Sequence, residues 1–370
     1  MKMTISRMVF EKGLRQGVRE FRLFEKAMLS STFLVFSSLL VSGCGTAGLC
    51  VVDVDNASVV YRRKGGTFRE APLCATQEGF MTLQRTETSR FVVRRVGFDG
   101  KEMSQTDLPL FTTSYGDESY AFSEGGQRIA YVKWKTDRNP HLVVCSTANV
   151  EVNLLPMGMG DNLGEIYECL VLWVNCDLVL VSPQGGEQGG KDPFYLIDIY
   201  NKKKTFLCDI MHSYGPKLLS PSKRYLLVSE GNNDSLLYRI HIFDLIAKKK
   251  VFEIIPSGKE MHAWGAVWNS DDELVYAVDN LVYAQKIGST DKREILRLKQ
   301  CYGAWLYAVD SKHNLHYQII SKEGIGSKRV GGWRTFNIDT KEDKELTEHR
   351  INGKVLMTRE RDKIVAEVGY

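Results

Sequence analysis

The sequence predicts an all-β protein built as a β-propeller, with seven four-stranded blades as the count that fits the pattern best. Three observations support this fold class. Helical periodicity almost disappears after residue 51, where short runs rich in Val, Ile, Tyr and Phe alternate with turn residues. A hairpin pattern repeats along the chain with the period of propeller blades. A separate series of glycines repeats the same number of times.

The repeated hairpin is an apolar strand that runs into a polar tip and is followed by a second strand. Its clearest copies are residues 194–207 and 240–253, and each places three consecutive lysines near the tip. Weaker copies bring the number of centres to seven, spaced 42 to 52 residues apart: Asp53, Arg95, Ser146, Asp198, Asp244, Lys286 and Asn337. Blades of about 40–50 residues have this period.

A glycine precedes each presumed first strand of a blade, where backbones crowd around the axis and a residue without a side chain is tolerated. The seven glycines are Gly79, Gly116, Gly164, Gly215, Gly265, Gly303 and Gly353. Residues 79–111 show clear room for only three strands. Counts of six and eight blades therefore stay open beside seven.

The two ends of the repeat region complement each other. Residues 51–61 supply a hairpin without inner strands, whereas residues 354–358 and 363–368 supply two strands without an outer hairpin. Together they would complete one blade and cover strand edges that would otherwise be exposed. We therefore expect a single propeller domain over 51–370, with N- and C-terminal strands sharing the closing blade.

Three turn-and-strand segments carry a resemblance to known propellers. Residues 122–131, 219–228 and 268–276 resemble the Ser-Pro-Asp-Gly-Lys unit of TolB-like propellers and of the prolyl oligopeptidase amino-terminal domain. The resemblance implies the fold, and it is poorly specific for function. No Gly-x-Ser-x-Gly nucleophile elbow occurs in the sequence, so a serine peptidase is not supported.

The beginning of the chain has the pattern of an export signal. Residues 1–27 hold seven basic and three acidic residues, and the uncharged stretch 28–43 is shorter than the about 20 residues of a membrane span. Ser42-Gly43-Cys44 at its end resembles the lipobox of bacterial lipoproteins, which implies acylation of Cys44, and Gly45 goes with sorting to the outer membrane. We expect a signal peptide over 1–43 and a short tether over 44–50. A plain signal peptide and an anchor helix are the alternatives.

An exported location also permits disulfides. The sequence contains 8 cysteines, and removing the acylated one leaves an odd number. Cys50 with Cys74, and Cys169 with Cys176, are the pairs to test first.

The composition argues against nucleic acid as a partner. Residues 44–370 contain 42 basic and 42 acidic residues, so the body lacks the basic surface that phosphate neutralisation requires. The lysine runs 202–204 and 248–250 lie at hairpin tips, where we favour simple solvation over attraction to anionic lipid.

No cofactor or metal is expected. Residues 185–191 have the spacing of a phosphate loop, but they lead into a strand rather than a helix. The spacing of His313 and His316 would place them on opposite faces of a strand, so a polar turn is favoured over metal ligation.

Aromatic and histidine residues cluster around four of the marker glycines, at the connections that enter the innermost strands. Such connections open on the channel mouth, where aromatic rings suit a sugar face or a peptide. The candidate rim residues are Tyr115, His212, Tyr214, His262, Trp264, Tyr302 and Trp305. The alternative is that these rings pack between blades. Trp173 and Trp268 align with Phe122 and Leu219 inside the repeat and are expected in the core.

These observations favour a membrane-anchored binding or scaffolding lipoprotein of the bacterial envelope, whose partner is a protein, peptide or glycan. The alternative is a propeller enzyme, a hydrolase or lyase that acts on polysaccharide or peptide at the central channel. A third interpretation is an inert structural member of an envelope assembly that makes its contacts through outer blade edges.

Overall fold

The residues that the structure describes form 28 strands in seven four-stranded antiparallel sheets, and the protein is a seven-bladed β-propeller, as the sequence predicts. No α-helix occurs among the residues that the structure describes. That structure is a computed structural model describing residues 47–54, 58–64, 70–76, 78–85, 91–108, 120–123, 126–134, 140–146, 153–156, 168–184, 191–211, 217–231, 238–255, 265–299, 301, 303–322, 327–348, 350–357 and 361–369.

The first two strands of the chain belong to the last blade, and they are β1 (Ala47–Asp53) and β2 (Ser58–Lys64). Blades 1 to 3 follow, each written from its innermost strand outward. Blade 1 holds β3 (Glu70–Ala75), β4 (Gly79–Arg85), β5 (Phe91–Gly97) and β6 (Glu102–Leu108). Blade 2 holds β7 (Tyr120–Phe122), β8 (Arg128–Trp134), β9 (Pro140–Ser146) and β10 (Asn153–Pro156). Blade 3 holds β11 (Glu168–Trp173), β12 (Leu178–Gln184), β13 (Lys191–Asp198) and β14 (Lys203–Met211).

The remaining blades repeat this order. Blade 4 holds β15 (Lys217–Leu219), β16 (Tyr225–Gly231), β17 (Tyr238–Asp244) and β18 (Lys249–Ile254). Blade 5 holds β19 (Ala266–Trp268), β20 (Glu273–Val278), β21 (Leu281–Lys286) and β22 (Lys292–Arg297). Blade 6 holds β23 (Gly303–Val309), β24 (Asn314–Lys322), β25 (Ser327–Asn337) and β26 (Asp343–Thr347). Blade 7 combines β27 (Arg350–Met357) and β28 (Lys363–Gly369) with β1 and β2.

The core is divided among the blade interfaces. Within the described part of the chain there are seven hydrophobic clusters, one for each pair of neighbouring blades. Because side chains alternate along a strand, a central strand supplies two clusters. Leu49 and Val51 of β1 pack towards blade 1, whereas Cys50 and Val52 pack towards blade 6. Burial on both faces explains why the strands read as continuous apolar runs.

Strand β1 closes the ring by pairing with β28 on one side and with β2 on the other. Asp53 lies opposite Lys363 in the ladder, and their side chains form an ion pair of 3.1 Å. The predicted sharing of the closing blade by the two ends of the chain is confirmed. Strand β1 begins at Ala47, four residues before the boundary that the sequence pattern suggested, so residues 47–50 lie in the sheet.

The seven hairpin centres found in the sequence fall at nearly the same place in every blade. Six of its seven centres are the last residue of the third strand, and only Arg95 falls two residues short of that position. The glycine series is wrong at Gly79, which begins the second strand of blade 1, because β3 precedes it. It is also wrong at Gly353, which lies inside β27 rather than before it. A Cβ on Gly79 would lie 2.1 Å from the carbonyl oxygen of Val96, so close approach of two strands explains this glycine.

The propeller has two faces that differ in their loops. One side of the ring carries two turns from each blade: the turn between the first and second strands and the turn between the third and fourth strands. We call this side the turn face. The connection face carries the loops between second and third strands and the links between blades. Hydrogen bonds join neighbouring blades at the turn face: the amide of Ser222 donates to Asp271 Oδ1 over 2.7 Å, and Arg128 donates to the carbonyl of Cys176.

Trp173 and Trp268 are buried, as the sequence predicts, and each ties its blade to the preceding one. The indole Nε1 of Trp173 donates to the carbonyl of Ala121 over 2.9 Å, and that of Trp268 donates to Leu218 over 3.1 Å. The acceptors lie in innermost strands, β7 and β15. These rings therefore hold adjacent inner strands at a fixed separation.

Arg361 links three blades at the turn between β27 and β28. Its guanidinium donates to the carbonyl groups of Asn269 over 2.7 Å and Trp268 over 3.2 Å in blade 5, and to that of Val309 in blade 6. Its own carbonyl accepts from the amide of Ser311. Burial lowers the pKa of Arg361. An arginine nevertheless keeps its charge at neutral pH, so it strengthens these hydrogen bonds.

The two cysteine pairs do not form disulfides. Cys50 packs at the interface of blades 6 and 7, whereas Cys74 packs at that of blades 1 and 2. Cys169 is buried between blades 2 and 3. Cys176 is exposed on the turn face, and its thiol donates to Asp177 Oδ2 over 3.1 Å.

Replacing Arg361 by Ala should lower the free energy of unfolding by about 2–4 kcal/mol, because three backbone carbonyl groups lose a charged donor. Urea unfolding followed by circular dichroism measures the effect. Arg297→Ala is the control, since Arg297 pairs with Glu294 at the surface, and should cost below about 1 kcal/mol. Equal urea midpoints for Arg361→Ala and the wild type would contradict the role of Arg361 as a link.

Candidate functional site

Charged residues begin several of the innermost strands, at the connection face. Each innermost strand starts at this face, and four of the seven start with a charged residue: Glu70, Glu168, Lys217 and Arg350. Beyond that first position, six of the seven inner strands carry no charged residue; β27 is the exception. The charged residues of the inner strands are therefore found mainly at the strand starts, at the channel mouth, and the rest of these strands is largely free of charge.

Trp305 is the one candidate rim residue that the structure describes. It is the third residue of β23 and is half-buried, while Ala304 and Leu306 on either side of it are buried towards blade 5. The next residue on the face of Trp305 is Tyr307, whose hydroxyl donates to Gln318 Oε1 over 2.6 Å. Trp305 therefore lies near the start of an innermost strand, and its place in a ligand rim stays a prediction.

The other rim candidates lie outside the described residues: Tyr115, His212, Tyr214, His262, Trp264 and Tyr302. In the chain, each of them falls between the last strand of one blade and the first strand of the next. Their grouping into a single rim stays a prediction, and so does the alternative that they pack between blades. Cys44 also lies outside the described residues.

His316 belongs to a buried hydrogen-bond chain in blade 6. Trp333 Nε1 donates to His316 Nδ1 over 3.0 Å, so the proton of a neutral ring is on Nε2, which donates to Asp310 Oδ2 over 2.9 Å. His313, by contrast, is on the exposed turn, where its Nδ1 is 2.9 Å from Asp339 Oδ2. The two histidines do not share a site.

The carboxylate of Asp310 closes the turn between β23 and β24. Its oxygens accept from the backbone amides of Lys312 and Asn314, each over 2.9 Å, and from the side chain of Asn314. Burial alone raises the pKa of Asp310, but the hydrogen bonds from His316 and Asn314 outweigh it, so the pKa is lowered overall. Asp310 is therefore a structural anion that stabilises the fold.

His241 in blade 4 has a carboxylate beside each ring nitrogen. Its Nε2 is hydrogen-bonded to Glu230, and its Nδ1 is 3.6 Å from Glu253 Oε1. A hydrogen bond from Lys250 is the main cause of the lowered pKa of Glu253. The carboxylates lie on opposite sides of the ring, so they do not converge on a common point as metal ligands do.

This histidine cluster is absent from the sequence-based candidates, because its members come from three strands and meet only through strand register. His241 lies opposite Val228 on β16 and opposite Glu253 on β18. The cluster is on the second to fourth strands of the blade, away from the inner strand that lines the channel. It does not supply the acids and bases at the channel that the enzyme hypothesis requires.

Within the described part of the chain, no group of three His, Cys, Asp or Glu residues is arranged to hold a metal ion.

No protein-family model matches the sequence, and neither does any curated protein. Solved propeller structures do match. Oligogalacturonate lyase in complex with manganese superposes with a TM-score of 0.54 at 10% identity, over 88% of this chain and 91% of the lyase. The tricorn protease gives 0.54 at 10% identity, over 86% of this chain and 35% of the protease.

A putative TolB from Agrobacterium tumefaciens superposes with a TM-score of 0.47 at 12% identity, over 89% of this chain and 99% of that protein. At 10% identity, the likeness to the lyase and to the tricorn protease shows a shared fold alone. Function must therefore be argued from the residues of this chain. Among its described residues there is no helix with the length and apolar character of a membrane span.

Asp310→Asn should lower the free energy of unfolding at pH 7 by about 1–3 kcal/mol, because a buried carboxylate with several donors is neutralised. The pKa of Asp310 is lower in the folded state. Its contribution is therefore complete above the unfolded pKa of about 3.9 and is lost as the pH falls through the folded value. Urea titrations at pH 7, 5, 4 and 3 should show the difference between wild type and variant shrinking below about pH 4.

Asp339→Asn is the matched control, since Asp339 also bonds a histidine but is exposed. It should leave the stability almost unchanged at every pH. A stability difference for Asp310→Asn that persists undiminished at pH 3 would contradict the assignment.

Proposed function

We propose that this protein is a lipid-anchored binding or scaffolding protein of the bacterial cell envelope, placed in the outer membrane by its lipidated Cys44. Its propeller holds a protein, peptide or glycan at the channel mouth of the connection face. The observation that carries the binding role is the contrast between the mouth and the wall. Charged strand starts and Trp305 lie at the mouth, above inner strands that are largely free of charge.

Anchoring is supported by the sequence before β1 and by the position of β1 itself. The cysteine of Ser42-Gly43-Cys44 precedes Ala47 by three residues, and three residues span at most about 11 Å. Ala47 lies at the connection face, because it pairs with Gly369 at the end of β28. An acylated Cys44 would therefore keep the connection face of blade 7 close to the lipid surface. The two or three acyl chains of bacterial lipoproteins are sufficient for stable anchoring.

A hydrolase or lyase at the same mouth is the second candidate function, and the positions of Glu70 and Glu168 favour it. Both begin inner strands at the connection face, in blades 1 and 3. General acid–base cleavage of a polymer uses a pair of carboxylates, and these two glutamates are the acidic residues that begin inner strands. A binding protein would release its ligand unchanged, whereas an enzyme would cleave it.

The anchor is tested by metabolic labelling with palmitate. The wild type should incorporate label and sediment with membranes, whereas Cys44→Ala should lose both properties. Cys176→Ser is the control, because it removes an exposed thiol and should leave labelling intact. Label retained by Cys44→Ala, or missing from the wild type, would contradict the anchor.

The rim is tested with a ligand selected from a displayed peptide library or a glycan array. Trp264→Ala and Tyr302→Ala should each weaken its binding at least about tenfold, since aromatic anchors dominate such contacts, while circular dichroism and melting temperature stay unchanged. Tyr200→Ala is the control, because Tyr200 is exposed on the turn face. Unaltered affinity of both rim variants would contradict the proposed site. Cleavage of the ligand that Glu70→Gln or Glu168→Gln abolishes would establish the enzyme instead.

A further inference from the structure

Two neighbouring hairpin tips on the turn face share an unusual composition. They are the turns between third and fourth strands of blades 3 and 4, which we call the basic tips, residues 198–204 and 244–250. Each begins with an aspartate, continues with two large hydrophobic residues and one small or polar residue, and ends with three lysines. The backbone has φ of 52° at Lys202 and 54° at Lys248, so both turns place their first lysine in the left-handed region.

Each basic tip exposes one large apolar side chain at the same position. Tyr200 in blade 3 is 84% exposed and Ile246 in blade 4 is 76% exposed, the two highest values among the exposed large hydrophobic residues described. Ile199 and Leu245, just before them, are buried and fix the turns to the blades. Exposure of such large apolar surfaces to water is unfavourable, and burying them against a partner would be favourable.

The lysines surround these apolar side chains with positive charge. Lys202, Lys203, Lys248 and Lys249 are exposed, while Lys204 lies 4.8 Å from the ring centre of Tyr195 and Lys250 pairs with Glu253. Each tip also begins with an aspartate. Asp198 accepts from the amide and the side chain of Asn201, and Asp244 is buried and bonded to Arg224. With three lysines against one aspartate, each tip keeps a net positive charge.

The tips of blades 5 and 6 on this face do not combine the two properties. The blade 5 tip carries Lys286, Lys292 and Arg293, but the apolar residue beside it, Ile287, is half-buried. The blade 6 tip is mainly acidic, with Asp339, Glu342 and Asp343. Exposed apolar residues and lysine triplets coincide only at blades 3 and 4 within the described part of the chain. Solvation alone explains the lysines, but it does not explain the apolar residues.

We propose that the basic tips form a docking site for an anionic lipid surface. Tyrosine is favoured at the level of lipid headgroups, an isoleucine side chain can enter the acyl boundary, and lysines are attracted to anionic headgroups within a Debye length. Two tips on adjacent blades of a rigid ring can contact one plane together. The site lies on the face opposite to the proposed ligand mouth, and it needs neither that mouth nor the lipid on Cys44.

The experiment uses the chain from residue 45 onward, which contains all 28 strands and both partners of the ring closure. Sedimentation with vesicles of phosphatidylcholine and phosphatidylglycerol (3:1) measures binding, and phosphatidylcholine vesicles are the reference. The chain should bind the anionic vesicles at least about tenfold more tightly and be released by 0.5 M salt, as expected for lysine–headgroup attraction. Equal binding to both vesicle types, or none to the anionic vesicles, would overturn the proposal.

Two variants separate charge from insertion. Tyr200→Ser with Ile246→Ser keeps every charge, and the triple change of Lys248, Lys249 and Lys250 to Gln keeps both apolar residues; each should weaken binding at least about tenfold. The charge-matched control changes Lys286, Lys292 and Arg293 to Gln and should weaken it less than about twofold. If the serine variant binds like the wild type, the tips are a general polyanion site, for acidic protein or nucleic acid, and the proposal fails.

Vesicle clustering tests the basic tips together with the proposed lipid anchor. Blades 3 and 4 are the farthest from blade 7 in a ring of seven, and the tips point away from the face where β1 begins. Lipidated full-length protein should therefore cluster anionic vesicles, whereas the chain from residue 45 should bind them without clustering. Clustering lost in the serine variant while palmitate labelling persists would support the tips. Clustering that survives the serine change would contradict them, whatever the state of the anchor.

Discussion

The architecture depends on the pairing of β1 with β28. Strand β1 is buried on both faces, so it completes the core on the blade 6 side through Cys50 and Val52 and on the blade 1 side through Leu49 and Val51. Without it, two of the seven interfaces would lose packing, and β28 would become an exposed edge. Residues at opposite ends of the chain must therefore meet before the ring is stable, which is a non-local contact with a high loop-closure cost.

The two faces of the ring have different roles in this account. At the turn face, Arg361 and Asp310 make hydrogen bonds whose partners are mostly backbone groups, and such contacts fix geometry rather than bind ligands. At the connection face, the links between blades vary in length, and four of the seven inner strands that follow them start with a charged residue. Function in propellers resides in such connections because the sheets hold them rigidly in place. The basic tips are the exception, a turn-face feature that the packing does not explain.

The sequence predicted the fold class, the ring closure and the end of the third strand in six blades, because periodic hairpins and complementary chain ends are local patterns. It missed β3 in blade 1, where Pro72 interrupts the strand pattern. An innermost strand is bonded on one side only, so it tolerates proline. The pairing of His241 with Glu230 and Glu253 depends on register across three strands. The exposure of Tyr200 and Ile246 likewise depends on which residues of each turn pack inward. Neither can be read from spacing alone.

Hydrogen–deuterium exchange followed by mass spectrometry tests the ring closure most directly. In the intact chain, amides of residues 47–53 and 363–369 should exchange slowly and together, at rates comparable with those of residues 273–278 in blade 5. In a chain that ends at residue 362, residues 47–53 should become rapidly exchanging, because β1 loses its inner partner. Rapid exchange of residues 47–53 in the intact chain would show that the two ends of the chain do not share a blade.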